Sequence, residues 1–212
     1  MKSNNDIING NSPELMEVLR AADLVAATDV AVLITGETGT GKDLLARRIH
    51  GSSRRQDKPF ITVNCAALPE NLAESLLFGH RKGAFTGANS QRAGFIAEAD
   101  GGTLLLEEIG EMPAPVQAKL LRFLESGEYQ PLGMVEAQHA NVRLIAATNS
   151  NLIDAVEQGS FRSDLYFRLN VIPLEVPPLR KRTGDIACLL KELNHRLSAE
   201  HGMPAATYTP AA

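Results

Sequence analysis

Tryptophan is absent from these 212 residues, and only seven phenylalanines and three tyrosines occur. No aromatic stacking platform for single-stranded nucleic acid is evident. Cysteine is scarce, at Cys65 and Cys188 only, with no metal-ligand spacing to any histidine. That excludes a disulfide framework and leads us to expect two reduced, buried thiols in a cytoplasmic protein. Met1–Asp6 has no apolar core, so no signal peptide is expected there. No apolar run approaches the ~20 residues that span a bilayer, so no membrane is expected as a partner. An excess of one charge is missing too: 21 basic and 25 acidic side chains leave a net −4 at pH 7. Nothing in that balance draws the whole chain toward nucleic acid or lipid headgroups.

What is present is an alternation of two patterns. Short apolar runs at 31–34 and 103–106 read as strands buried on both faces, and the largely apolar segments 60–63, 142–147 and 171–176 read as further strands. Between them lie segments of helical period. One is 14–26, opened by Ser12-Pro13; others carry Leu44, Leu45 and Ile49, or Leu72, Leu76 and Leu77 within 68–77. Two more carry Val116, Leu120, Leu121 and Leu124 after Pro113 and Pro115, and Ile186, Leu189, Leu190 and Leu193. Strands alternating with helices predict a mostly parallel sheet covered on both sides. The ending Thr207–Ala212 follows no packed element in this reading.

Between the first strand and the next helix stands Gly36-Glu37-Thr38-Gly39-Thr40-Gly41-Lys42. Glycines let backbone N–H groups converge on phosphate oxygens. The helix N-terminus adds a favourable dipole, and Lys42 can reach the outer phosphates. This is the spacing of a nucleoside triphosphate loop, with ATP the expected ligand. The Ser or Thr that ordinarily follows the lysine and ligates Mg²⁺ is Asp43, which can hold the ion through water. The strand at 103–106 runs into Glu107-Glu108, and a carboxylate pair at the C-terminal end of a parallel strand suits one group on Mg²⁺ and one orienting a water. Thr148-Asn149 ends another strand at the same edge, where Asn149 could sense the γ-phosphate. Gly83-Ala84-Phe85-Thr86-Gly87-Ala88 has neither period. Either it offers Phe85 to a partner or it is a plain turn with Phe85 tucked inward.

These motifs together resemble the AAA+ domain of bacterial enhancer-binding proteins, the activators that remodel RNA polymerase carrying sigma-54. The hexapeptide at 83–88 matches that family's G-A-F-T-G-A motif letter for letter, and the loop 36–42 agrees with it. So do Val63–Ala67, 99–103, 116–122, Ala147-Thr148-Asn149 and Phe161–Asn170.

The resemblance implies a three-layer α/β/α P-loop NTPase fold, divided into a tail at 1–7, an AAA+ core at 8–180 and an incomplete helical lid at 181–212. It implies ATP and Mg²⁺ at Gly36, Glu37, Thr38, Gly39, Thr40, Gly41, Lys42 and Asp43. It extends that site to Ala99, Asp100, Gly101, Gly102, Thr103, Leu104, Leu105, Leu106, Glu107 and Glu108. Glu107, with Asp43, falls at the metal and Glu108 at the catalytic carboxylate; Asn64 restrains Glu108, and Asn149 lies in a sensor motif. Arg162 and Arg168 match arginines supplied to a neighbour's ATP, so a hexameric ring is implied. Gly83–Ala88 would grip sigma-54.

Four departures carry expectations of their own. Glu107 stands where the family has Asp, which predicts ATP binding with reduced turnover. Asp43 stands for Glu. Arg81 replaces an acidic residue common before the loop. The lid's G-N-V-R-E-L segment and a helix-turn-helix DNA-binding domain are not in these residues. A truncated, hydrolysis-poor regulator of related activators is therefore the alternative expectation.

Overall fold

The structure, a computed structural model, describes residues 10–202. The tail at 1–7, the start of the expected core at Ile8 and the ending Thr207–Ala212 lie outside the described residues.

In chain order the helices and strands are α1 (Pro13–Ala26), β1 (Val32–Thr35), α2 (Lys42–Gly51), β2 (Phe60–Asn64) and α3 (Glu70–Phe78). They continue with α4 (Phe95–Glu98), β3 (Thr103–Glu107), α5 (Ala114–Ser126), β4 (Glu128–Tyr129), β5 (Gln138–His139) and β6 (Arg143–Thr148). The last are α6 (Leu152–Glu157), α7 (Ser163–Leu169), β7 (Ile172–Glu175) and α8 (Ile186–His201). Five strands form one sheet in the order β2-β3-β6-β1-β7, and all of its pairings are parallel. β4 and β5 make a separate antiparallel hairpin.

Residues alternate strictly between the two sides of the sheet. Val32, Ile34, Leu105, Ile145, Ala147 and Leu174 pack with Leu15, Leu19, Leu45 and Ile49 of α1 and α2. Leu33, Val63, Leu104, Leu106, Leu144 and Ala146 pack with Leu77, Ile96, Val116, Leu120 and Leu165 on the other side. This is the three-layer α/β/α architecture expected. It explains why the strands read as unbroken apolar runs: each face needs its own apolar set. Truncating a central residue such as Leu105 to alanine would cost about 2–5 kcal/mol.

Local chemistry sets several boundaries. Ser12 caps α1 by accepting from the Leu15 N–H, and Pro13 fills the first turn, where a missing N–H costs nothing. At the far end of α1, the buried guanidinium of Arg143 donates to the carbonyls of Val25 and Ala26, at 2.9 and 3.1 Å. A cation there complements the helix dipole. The expected helix at 68–77 begins instead at Glu70, because Pro69 stands at its N-cap and Cys65–Ala67 forms a 3-10 turn. The expected strand at 171–176 is confined to Ile172–Glu175. It holds Pro173 because it is an edge strand, paired with β1 alone.

One expectation about thiols is corrected. Cys65 is buried, but Cys188 on α8 is exposed. Burial, with Glu107 and Glu108 nearby, pushes the Cys65 thiol up to about 12. No helix among the described residues is long and apolar enough to cross a membrane.

Candidate functional site

The registry brings the strand ends level. Asn64 is opposite Glu107, Glu107 opposite Ala147, and Thr35 opposite Thr148. Everything that follows these residues is therefore delivered to one edge of the sheet, as expected of an open parallel α/β sheet. A cavity of about 420 Å³ opens there. Its walls include Gly39, Lys42, Asp43, Asn64, Glu107 and Glu108, and Arg196 from α8.

The loop between β1 and α2 is held by its own side chains. Thr40 Oγ1 donates to the Glu37 carbonyl at 2.8 Å. Lys42 Nζ donates to the carbonyls of Gly36 and Glu37 at 2.9 and 3.3 Å, and lies 3.8 Å from Glu108 Oε1. The ammonium thus sits at the mouth of the loop between carbonyl dipoles and a carboxylate.

Glu107 and Glu108 both face the cavity. Neighbours on a continuing strand would point to opposite faces. Glu108 breaks the alternation: its φ of 48° and ψ of 50° are left-handed, and it is the one non-glycine residue with positive φ among the described residues. A non-glycine residue held there costs on the order of 1 kcal/mol or more and persists only where its surroundings enforce it. Asn149 supplies part of that enforcement, because its N–H donates to Glu108 Oε2 at 3.1 Å. Its side-chain Nδ2 donates to Thr38 Oγ1 at 2.9 Å. One residue therefore joins the phosphate loop to the carboxylate.

Burial raises the carboxyl pKa of Glu107, and the negative charge of Asp43 adds to that; Arg47 and Lys42 pull it the other way, and Glu108 raises it further. A divalent ion among these carboxylates would relieve the repulsion. No group of three or more His, Cys, Asp or Glu side chains among the described residues could hold a metal unaided. One or two carboxylates completed by phosphate oxygens and water are the usual environment of Mg²⁺, so the donor set fits the ion.

Other expected residues fall elsewhere. Of the stretch 99–108, only Glu107 and Glu108 line the cavity. Ala99 and Thr103–Leu106 are fully buried, and Asp100 and Gly101 bond to Asn141 at the opposite end of the strands. Five strand residues span about 16 Å, so Asp100–Thr103 lie at the end of β3 away from the cavity. Asn64 lines the cavity, but its Oδ1 accepts from the Ala66 N–H; the described partners of Glu108 are Lys42 and Asn149.

Arg162 and Arg168 are both outside the cavity wall. Arg162 forks onto the Asp164 carboxylate at 3.0 and 2.8 Å, and Arg168 donates to the Leu124 carbonyl at 3.2 and 2.8 Å. Arg168 lines a second cavity, with Asp29, Val30 and Val142 at the N-terminal ends of the strands.

The loop Gly83–Ala88 is a closed turn. The Gly83 N–H donates to Ala88 O and the Ala88 N–H to Phe85 O. Gly83 and Gly87 have φ of 83° and 103° with open space where a Cβ would stand, so their conformation, not crowding, requires glycine. Phe85 is half-buried. Its ring meets that of His80 edge-on at 5.1 Å, and His80 is held by Ser75 Oγ at 2.7 Å. The Arg81 N–H donates to Leu132 O, so the turn rests on the segment between β4 and β5.

Sequence reasoning passed over Arg180, Arg182, Asp185 and Arg196. Arg180 forks onto the Glu37 carboxylate, and the buried Arg182 donates to Thr40 O at 3.0 Å. The run Pro177-Pro178-Leu179-Arg180-Lys181-Arg182 carried the available signal, as closely spaced arginines after a strand that ends beside the phosphate loop.

A parallel five-stranded sheet whose edge carries this loop and this carboxylate pair defines a P-loop NTPase fold. Comparison with known proteins refines the class, and the chain belongs to the sigma-54 interaction domain family, whose profile matches residues 8–175. It is 53% identical over 207 residues to a Nif-specific regulatory protein of Sinorhizobium fredii, covering 98% of this chain and 35% of that protein. It is 52% identical over 190 residues to the transcriptional regulatory protein GlrR of Escherichia coli, covering 90% and 43% respectively. The chain thus spans less than half the length of these two curated relatives. The crystal structure of NtrX from Brucella abortus in complex with ATP superposes with a TM-score of 0.90 at 33% identity, covering 96% of this chain and 44% of that one.

Proposed function

We propose that this chain is the ATP-hydrolysing unit of a sigma-54-dependent transcriptional activator, with a core at 8–180 and a helical lid from 181. The observation that carries the reading is the pairing of Lys42, Glu107 and Glu108 around one cavity in a chain that also presents Gly83–Ala88. ATP lies with its phosphates against 36–43. Lys42 exchanges its loop carbonyls for phosphate oxygens. Glu107 and Asp43 are the residues that would hold Mg²⁺, which would supply neutralisation of charge on the outer phosphates. Glu108, fixed by the Asn149 N–H, orients the attacking water. Asn149 also touches Thr38, so loss of the γ-phosphate reaches both loop and carboxylate. Neither Arg162 nor Arg168 lines this chain's own cavity, which supports delivery to a neighbouring subunit in a homo-oligomeric ring. Movement of Gly83–Ala88 against RNA polymerase carrying sigma-54 would then open the promoter.

ATP turnover measured against protein concentration tests the reading. A cooperative rise supports an assembling ATPase. A flat zero with intact ATP binding favours the second reading, a hydrolysis-poor regulator of related rings. The crowding of Glu107 with Asp43 and Glu108 is the observation behind that alternative. Retention of sigma-54 by the chain in the presence of ATP and a transition-state analogue, and its loss in Phe85→Ala, tests the partner separately.

A further inference from the structure

We propose that Gln117 is a positioning residue for Arg162: its buried amide fixes the backbone from which that arginine is presented and ties it to the turn that carries Glu108. The proposal rests on the reading in which Arg162 serves the ATP of a neighbouring subunit.

Gln117 is a polar residue where its helix calls for an apolar one. In α5 it stands with Leu120 and Leu124 at i, i+3 and i+7, on the face turned to the core, and it is fully buried. A buried glutamine brings two N–H donors and a carbonyl oxygen, all of which need partners. Here all three have them. Nε2 donates to Met112 O at 2.9 Å and to Ser160 O at 3.0 Å, and Oε1 accepts from the Arg162 N–H at 2.9 Å. A flipped amide would set its oxygen against two carbonyls and its nitrogen against an N–H, so the partners fix its orientation.

Those partners belong to two loops. Met112 closes the 3-10 turn that starts at Glu108: the Glu111 N–H donates to Glu108 O at 2.9 Å and the Met112 N–H to Ile109 O at 3.1 Å. Ser160 and Arg162 flank Phe161, which is buried in the core. Arg162 stands at the N-cap of α7 with extended backbone, at φ −77° and ψ 131°. Its side chain is exposed and forks onto Asp164. The arginine is thus in solvent at its tip and held at its root, and Gln117 is the side chain that holds the root.

An arginine that crosses a subunit boundary must meet phosphate oxygens in a defined geometry. A displacement of about 1 Å far from the chemistry is enough to lose about a hundredfold in rate. Without the Gln117 amide, the Arg162 N–H and the Ser160 carbonyl lose a partner in a buried place, and the loop has to shift to satisfy them. Gln117 does not line the nucleotide cavity, so ATP binding by its own chain is left alone.

The test uses the 212-residue chain as wild type, Gln117→Met, Arg162→Ala and Lys42→Ala, each checked for fold by circular dichroism. Methionine keeps the length and bulk of the side chain and removes all three bonds. Gln117→Met should lower kcat about tenfold while the KM for ATP stays within about twofold. Mixed with Lys42→Ala, it should regain turnover, because the second chain offers a well-placed Arg162 to the intact nucleotide site of the first. A wild-type kcat in Gln117→Met would overturn the proposal. So would a Gln117→Met mixture that stays slow while Arg162→Ala mixed with Lys42→Ala recovers, since Gln117 would then act on its own chain's site. Failure of both mixtures, or wild-type turnover in Arg162→Ala, would instead remove the reading of Arg162 beneath it. Hydrogen exchange of the wild type needs no variant. The Arg162 amide should be protected although its side chain stands in solvent, and exchange at the free-peptide rate would overturn the proposal whether or not Gln117→Met folds.

Discussion

Arg182 donates a hydrogen bond of 3.0 Å to the carbonyl oxygen of Thr40, two residues before the lysine of the phosphate loop. The two are 142 residues apart in the chain and both are buried. The bond ties the turn before α8 to the loop that would grip the phosphates. Arg182→Ala should therefore lower stability by about 1–3 kcal/mol, the range for losing a charged hydrogen bond in a buried place. It should also weaken nucleotide binding. Arg182→Lys should recover part of the stability. Urea melts followed by ATP titration measure both effects, and an Arg182→Ala chain of wild-type stability would refute the coupling.

The second prediction concerns pH. His50 is buried, its Nδ1 is 2.9 Å from Thr103 Oγ1, and its ring lies 4.8 Å from that of Phe60. Burial lowers its pKa from 6.5, and the positive charge of Arg143 lowers it further. The unfolded chain takes up the proton near 6.5 while the folded chain resists it until lower pH. Stability should thus be flat in this respect above 6.5 and fall as pH drops from 6.5 through the lowered folded value, by at most about 1.4 kcal/mol per pH unit. His50→Gln should remove that part of the slope. Urea midpoints at about pH 7.5 and about pH 5.5 check it; an unchanged difference in His50→Gln would exclude His50 as the source.

Glu107 yields a prediction in which stability and function oppose each other. Its carboxyl is raised first by burial and then by Asp43. In the ion-free protein burial and the charge of Asp43 make its ionised form costlier than in water, so Glu107→Gln should raise the melting temperature slightly while weakening Mg²⁺-dependent ATP turnover at least about tenfold. Glu107→Asp shortens the side chain by one methylene and should increase turnover over wild type. A wild-type rate that neither change alters would separate Glu107 from the metal.

The central strands were legible because burial on both faces leaves no polar residue in Val32–Ile34 or Leu104–Leu106. The phosphate loop, Lys42 and the carboxylate pair were legible because their spacing is itself the chemistry. The left-handed turn at Glu108 was not, since nothing local to a Glu-Glu pair requires positive φ. β4 and β5 were missed because two strands of two residues each carry no period. The place of Arg196 was hidden for a different reason. Asp185, at the N-cap of α8, accepts from the Ser12 N–H across 173 residues, and no window along the chain contains both.

Phe85 offers a prediction about the turn itself. Its ring packs edge-on against His80, which is fixed by Ser75. Phe85→Leu should keep the loop closed and lose about 0.5–1.5 kcal/mol of aromatic contact. Gly83→Ala should cost about 1 kcal/mol through its φ of 83° without touching any neighbour. Neither change reaches the cavity, so ATP affinity should be preserved in both while retention of sigma-54 falls. Loss of ATP affinity in Phe85→Leu would show that the turn and the nucleotide site are not separable in this way.

The orientation of Arg168 leads to a mixing experiment. Bound to Leu124 O, it lines the cavity at the N-terminal ends of the strands and not the one that holds Lys42 of its own chain. If it completes a neighbour's site, Arg168→Ala and Lys42→Ala chains should each be inactive alone. In a mixed ring, however, some interfaces join an intact Lys42 on one chain to an intact Arg168 on the next. ATP turnover should therefore reappear when the two inactive proteins are combined, and should rise and fall with their ratio. A single chain carrying both substitutions, mixed with itself, provides the baseline. If the mixture stays at that baseline although the chains co-assemble, Arg168 acts through the packing of α7 on α5 and not across a subunit boundary.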